Sequence, residues 1–212
     1  MALANYTDLL ASIAANLHRT DLTSVIPDFV ASCEAAMNRR LRVRSMFARA
    51  TATASAEYLA VPSDFREAVD LTLTDGTVTW DVTPAPARVI AEAQETAITG
   101  RPRFYSLEGS ELRFYPAPDA SYTATYSYFR TVPPLASNST NWMLTDNPDC
   151  YLYGSLAHAG LYTQDNEQVS VWKGMFDQIM GEIISGNRLP IGPLRVDPAI
   201  QARSRYNIFT DS

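Results

Sequence analysis

The sequence predicts an α+β fold: N- and C-terminal helical hairpins packed as a bundle, a β-rich insertion between them, and an extended C-terminal tail. Three observations carry this reading. Apolar residues recur at helical spacing at both ends of the chain. From Phe47 to about Tyr128 alternation replaces that period, Thr, Val, Tyr and Phe rise, and turn signals multiply. Beyond Leu189, Pro190, Pro193 and Pro198 break any helix and no apolar face repeats. The boundaries that follow are 1–46 for the N-terminal hairpin, 47–140 for the insertion, 141–188 for the C-terminal hairpin and 189–212 for the tail.

The first helix covers about Ala4 to His18, with Leu9, Leu10, Ile13 and Leu17 on one side. A polar break from Thr20 to Ser24 leads to a second helix, from about Val25 to Met46. Pro27 suits its first turn, and Ile26, Phe29, Val30, Cys33, Met37 and Leu41 line its apolar face. Its last part carries Arg39, Arg40, Arg42 and Arg44, cations favoured at the negative end of the helix dipole. Strands are expected at Ala48–Ala54, Tyr58–Val61, Ala68–Thr74, Thr77–Val82, Phe104–Leu107, Glu111–Tyr115 and Tyr122–Phe129. Asp75-Gly76 and Glu108-Gly109-Ser110 read as hairpin turns. A short helix from about Pro86 to Ala97 interrupts the strands and ends near Gly100.

Asn141 to Ile184 reads as two helices joined by a tight polar turn. Asn147 is placed to cap the first, with Pro148 where a missing N–H costs nothing. Asp165 is placed to cap the second, with Gln168 three residues on. Val169, Trp172, Phe176, Ile179, Met180 and Ile183 form one apolar stripe. At about 1.5–3 kcal/mol per large side chain buried, that stripe needs a partner.

Composition excludes several function classes. At 46% hydrophobic and 19% charged residues the chain reads as folded rather than disordered. A formal net charge of -6 argues against whole-molecule attraction to DNA or anionic lipid. No run approaches about 18 consecutive apolar residues, so no membrane span is expected. The N-terminal MALANYTDLL has neither a basic start nor a long apolar run, so no secretory leader is expected. Cys33 and Cys150 read as free, buried, cytosolic thiols.

Catalytic and cofactor signatures are not found. His18 and His158 lie on different helices without further ligands at metal spacing. Nothing resembles a phosphate-binding loop, a dinucleotide glycine fingerprint or a nucleophile elbow, so no cofactor and no enzyme activity is expected. Asp146 and Asp149 fall in or before a helix first turn, where carboxylates are favoured for dipole reasons alone. The dense basic run Arg39, Arg40, Arg42 and Arg44 reads as a subunit interface, because a planar guanidinium pairs carboxylates bidentately. A nucleic-acid-binding module using that same run is the alternative reading. In the tail, Arg195, Arg203, Arg205, Tyr206 and Phe209 are residue types enriched at interface hot spots. Fully extended, its 24 residues reach on the order of 80 Å.

Three segments together resemble the head-to-tail adaptor (connector) proteins of tailed bacteriophages: IPDFVASCEAAMNRRLRVRSM at 26–46, RFYSLEGSELRFYPAPDASYTATYSYFR at 103–130, and NWMLTDNPDCYLYGSLAHAGLYTQDNEQVSVWKGMFDQIMGEI at 141–183. The resemblance implies a structural virion protein at the head-tail junction, made in the host cytoplasm. It implies a homo-oligomeric ring, usually a dodecamer, beneath the portal protein, with a tail tube or nozzle protein received below. Genomic DNA passes through such a ring without specific binding. In similar adaptors the C-terminal tail runs against the portal, which gives Arg195, Arg203, Arg205, Tyr206 and Phe209 a portal-docking role. The acidic balance suits a lumen along which DNA slides rather than sticks.

Overall fold

The computed structural model describes residues 3–19, 21–93 and 98–186 and is mixed α+β, with six α-helices and several sheets among the described residues. α1 (Tyr6–Leu17) starts where the Asn5 side chain accepts the Asp8 N–H at 2.9 Å, and ends at His18 in the left-handed region. α2 (Ile26–Arg40) has Pro27 in its first turn. It stops at Leu41, whose backbone is extended, so the expected helix to Met46 is six residues too long. The reason is visible in Leu41-Arg42-Val43-Arg44, where buried and exposed residues alternate with period two. Only Arg44–Met46 then closes a single 3-10 turn.

The strands are β1 (Phe47–Ala54), β2 (Tyr58–Ala60), β3 (Phe65–Thr74), β4 (Thr79–Asp81), β5 (Thr83–Pro84), β6 (Thr99–Gly100), β7 (Phe104–Glu108), β8 (Glu111–Tyr115), β9 (Ala117–Pro118) and β10 (Tyr122–Arg130); the two-residue β5, β6 and β9 were not expected, and the other seven follow the expected order. The short helix is α3 (Ala87–Ala93), and Gly100 lies in β6 rather than at its end. One sheet has the order β1-β10-β3-β4 and is antiparallel throughout. A second runs β2-β8-β7-β5, with β5 parallel to β7, and β6 pairs with β9. Leu71, Leu73, Tyr122, Ala124, Tyr126 and Tyr128 of the first sheet meet Tyr105, Leu112 and Phe114 of the second in one buried cluster.

The opposite face of the first sheet is lined with hydroxyls. Register places Thr53, Thr123, Thr74 and Thr79 side by side, then Thr51, Thr125, Thr72 and Asp81, then Arg49, Ser127 and Asp70. These side chains are exposed or half-buried.

The helical cluster is separate. It joins Leu9 and Ile13 of α1, Phe29, Cys33 and Met37 of α2, and Leu41, Val43 and Met46 after it. The C-terminal helices add to it from α4 (Trp142–Asp146), α5 (Pro148–Thr163) and α6 (Asn166–Gly186). α4 was not expected from the sequence. Asn141 starts it, its side chain accepting the Leu144 N–H at 2.8 Å. Asn147 occupies the cap position of α5, but its side-chain amide turns to Met143 and makes no cap bond. Asp165 accepts the Gln168 N–H at 3.3 Å at the start of α6. Phe176, Met180 and Ile183 of the expected stripe are buried, and Val169, Trp172 and Ile179 are half-buried.

α5 packs through two glycines. A Cβ at Gly154 would overlap Cys33 Sγ and lie 2.9 Å from the Phe176 ring, and one at Gly160 would lie 2.6 Å from Val169 Cγ2. The helix backbones therefore approach one another more closely than any larger residue permits.

Candidate functional site

Between the two clusters, residues 131–141 return the chain from β10 to the helices, and α2 fixes this link by its polar side chains. Asn38 Oδ1 accepts the Val132 N–H at 2.8 Å, and one helical turn earlier Glu34 Oε1 accepts the Leu135 N–H at 2.8 Å. Tyr151 of α5 donates its hydroxyl to the same Glu34 oxygen at 3.1 Å. Asn141 in turn donates to Tyr151 Oη and to the Pro133 carbonyl, both at 2.7 Å. Burial pushes the Glu34 carboxyl above its ordinary range, against the pull of the Leu135 N–H and the Tyr151 hydroxyl. Burial likewise pushes the Tyr151 phenol up.

Sequence reasoning missed Glu34. The signal was there: it sits with Val30, Cys33 and Met37 on the apolar side of α2, where a charge needs partners.

The arginine run lies on this frame. Arg40 pairs with Asp177 of α6, its guanidinium 5.8 Å from the Phe176 ring centre. Arg42 Nε donates to Glu67 Oε2 of β3 at 2.7 Å, and its Nη1 donates to the Leu41 carbonyl at 2.6 Å. These two thus have partners within the chain. Arg39 and Arg44 are exposed and form no ion pair among the described residues. Because α2 ends at Arg40, the four guanidinium groups do not wrap one helical cylinder: Arg39 and Arg40 close the last turn and Arg42 and Arg44 extend from it.

One further arginine, invisible as a motif, joins them. Arg66 of β3 lies within electrostatic reach of Arg42 and Arg39, and burial first, then those like charges, hold its guanidinium below its ordinary value. Arg130 of β10 stands opposite Phe65 in the sheet register. The Nε atoms of Arg66 and Arg130 are enclosed without a hydrogen-bond partner.

Burial shifts the two thiols and the His158 imidazole toward their neutral forms. Burial pushes the Cys33 thiol well up and the Cys150 thiol to about 12, so neither is a thiolate near neutrality. Burial, then Arg39, pushes the His158 imidazole down. Among the described residues no cluster of three or more His, Cys, Asp or Glu could hold a metal ion, and no helix is long and apolar enough to cross a membrane. The tail residues Arg195, Arg203, Arg205, Tyr206 and Phe209 lie outside the described residues.

What the junction offers is guanidinium groups displayed on a pinned frame. The family model described as SU10 adaptor protein matches residues 4–197. The chain belongs to this family, a family of phage head-to-tail adaptors. It is therefore a structural phage protein and virion component, of a family not known as enzymes, and its membership implies contacts with portal and tail parts. The curated proteins compared with the chain contain no match to it.

Proposed function

We propose that this chain forms a ring under the portal, joins the DNA-filled head to the tail, and provides the conduit through which the genome passes. The observation that carries the reading is the family match across residues 4–197. In it, the helical segments 1–46 and 141–188 form the ring body, 47–140 projects as a β-rich extension, and 189–212 reaches the portal. Two separate hydrophobic clusters, one helical and one under the sheets, support that division. The ring is a dodecamer by family analogy, and a tail tube or nozzle protein docks beneath it. Arg195, Arg203, Arg205, Tyr206 and Phe209 dock on the portal.

The alternative, a nucleic-acid-binding module built on Arg39–Arg44, is weakened by the intrachain engagement of Arg40 and Arg42 and by the net charge of -6. Deletion of residues 195–212 tests the docking step. The shortened protein is expected to fold with unchanged far-UV circular dichroism but to lose co-sedimentation with portal protein. Co-sedimentation at full-length affinity sinks the docking role.

A further inference from the structure

We infer that the arginine cluster where α2 meets β3 is a contact between copies of this chain, Arg39 and Arg66 of one copy taking carboxylates Asp146, Asp149 and Glu182 of the next. The inference rests on the ring reading above and names the surfaces that close the ring.

Demand for carboxylates comes first. Arg39, Arg42 and Arg66 crowd one another, and the carboxylate beside them, Glu67, already pairs with Arg42. Arg66 is half-buried, so water screens it incompletely, and no ion pair within the described residues neutralises it.

Supply comes from the same chain, which has 23 acidic against 17 Lys and Arg residues. Asp146, Asp149 and Glu182 are exposed and have no cation partner among the described residues. Asp149 accepts the Cys150 N–H and Glu182 accepts from Gln178, which leaves each carboxylate lone pairs for a guanidinium.

Placement matches the two. Met37 Sδ lies 3.8 Å from Cys150 Sγ, so the end of α2 lies beside the start of α5. α6 runs back along α5, Val169 against Gly160 and Phe176 against Gly154, which brings Glu182 to that same end. The basic and acidic patches therefore stand at one level of the molecule. A ring built from head-to-tail contacts needs two unlike patches at a common height, each copy giving one and receiving the other. A DNA duplex fits this end poorly, because three uncompensated carboxylates would repel its phosphates.

The test uses full-length protein with the portal protein of its phage, ring assembly being read by sedimentation velocity and electron microscopy. Arg39→Glu/Arg66→Glu leaves both patches acidic, and Asp149→Arg/Glu182→Arg makes both basic. Each alone is expected to raise the concentration for half-assembly by about tenfold or more, and an equimolar mixture to restore it. Arg39→Glu alone, at an exposed position, repeats the test without touching half-buried Arg66. Assembly of these variants at the wild-type concentration overturns the contact and leaves the ring reading standing. Wild-type protein that forms no ring on portal overturns both. Variants that keep rings but lose salt-dependent duplex binding in a filter assay overturn the contact in favour of a DNA-facing patch.

Discussion

The helical core is closed by aliphatic side chains, two glycines and a buried Glu34–Tyr151–Asn141 network, whereas the core between the sheets sets four tyrosines among aliphatic side chains and Phe114. Tyr151 carries its hydroxyl into the interior, 0% of the residue being exposed, and spends it on Glu34. Tyr128, by contrast, points its hydroxyl outward to Asp64 at 3.0 Å, and Tyr122 reaches Asp119. The difference teaches where this fold is specified. Sheet register follows from alternation along the strands, but the relation of α2, α5 and the 131–141 link depends on a few buried polar bonds and on the absence of two Cβ atoms.

The largest expected effect comes from breaking the helical network. Glu34→Ala orphans the Leu135 N–H and weakens the anchoring of Tyr151, for a loss of about 2–5 kcal/mol in denaturant unfolding. Glu34→Gln keeps an acceptor oxygen without a buried charge and is expected to remain close to wild type.

The same residue supplies a pH signature. Its folded carboxyl is raised, so its contribution is full below the ordinary carboxylate range and is lost as pH rises through the raised value. Exposed carboxyls held down by partners, such as Asp21 with Arg19 and Asp75 with the Val78 and Thr77 N–H groups, titrate the other way in both proteins. The stability of Glu34→Gln minus that of wild type should therefore grow as pH rises from the ordinary carboxylate range through the raised value. A difference flat across that window would mean that burial does not perturb Glu34.

Next in size is Gly154→Ala. It gains about 1 kcal/mol of helix propensity but forces overlap with Cys33 Sγ and the Phe176 ring, for a net loss of about 1–3 kcal/mol. Pairing it with Cys33→Ala should recover part of the loss in urea midpoint. Full additivity of the two changes would show that the sulfur is not what Gly154 makes room for.

Removing one hydroxyl in each core sharpens the comparison further. Tyr151→Phe is expected to cost about 1–3 kcal/mol, and Tyr126→Phe less than about 0.5 kcal/mol. Equal costs would erase the distinction between the polar-pinned helical core and the core between the sheets. Small as well is Arg40→Ala, whose exposed pair with Asp177 should contribute at most about 1 kcal/mol, read as a shift of melting temperature that shrinks in salt.

Much of this was legible in the residues. Alternation located seven strands to within a few residues, Asp75-Gly76 and Gly109-Ser110 marked the hairpins, and Asp165 caps α6 as its spacing predicts. The end of α2 was misread because a helical period was extended over Leu41-Arg42-Val43-Arg44, four residues that fit a strand period as well. α4 was missed because five residues are too few for periodicity to register. The arginine junction was half visible: Arg39 to Arg44 are contiguous, but Arg66 reaches them only because the fold sets β3 beside Arg42. Gly154 reads from sequence as a weak spot in a helix, since nothing local says that a sulfur and an aromatic ring occupy the space beside it.

The hydroxyl-lined face of the four-stranded sheet has a consequence of its own. In its two outer rungs, Thr53, Thr123, Thr74 and Thr79, then Thr51, Thr125, Thr72 and Asp81, a single position ionises. Strands lie about 4.8 Å apart and alternate residues about 6.7 Å along each, so methyls and hydroxyls form an even, stiff grid. Any polymer passing over that grid meets no deep wells and releases few counterions. Its friction there would be governed by water rather than by ionic strength.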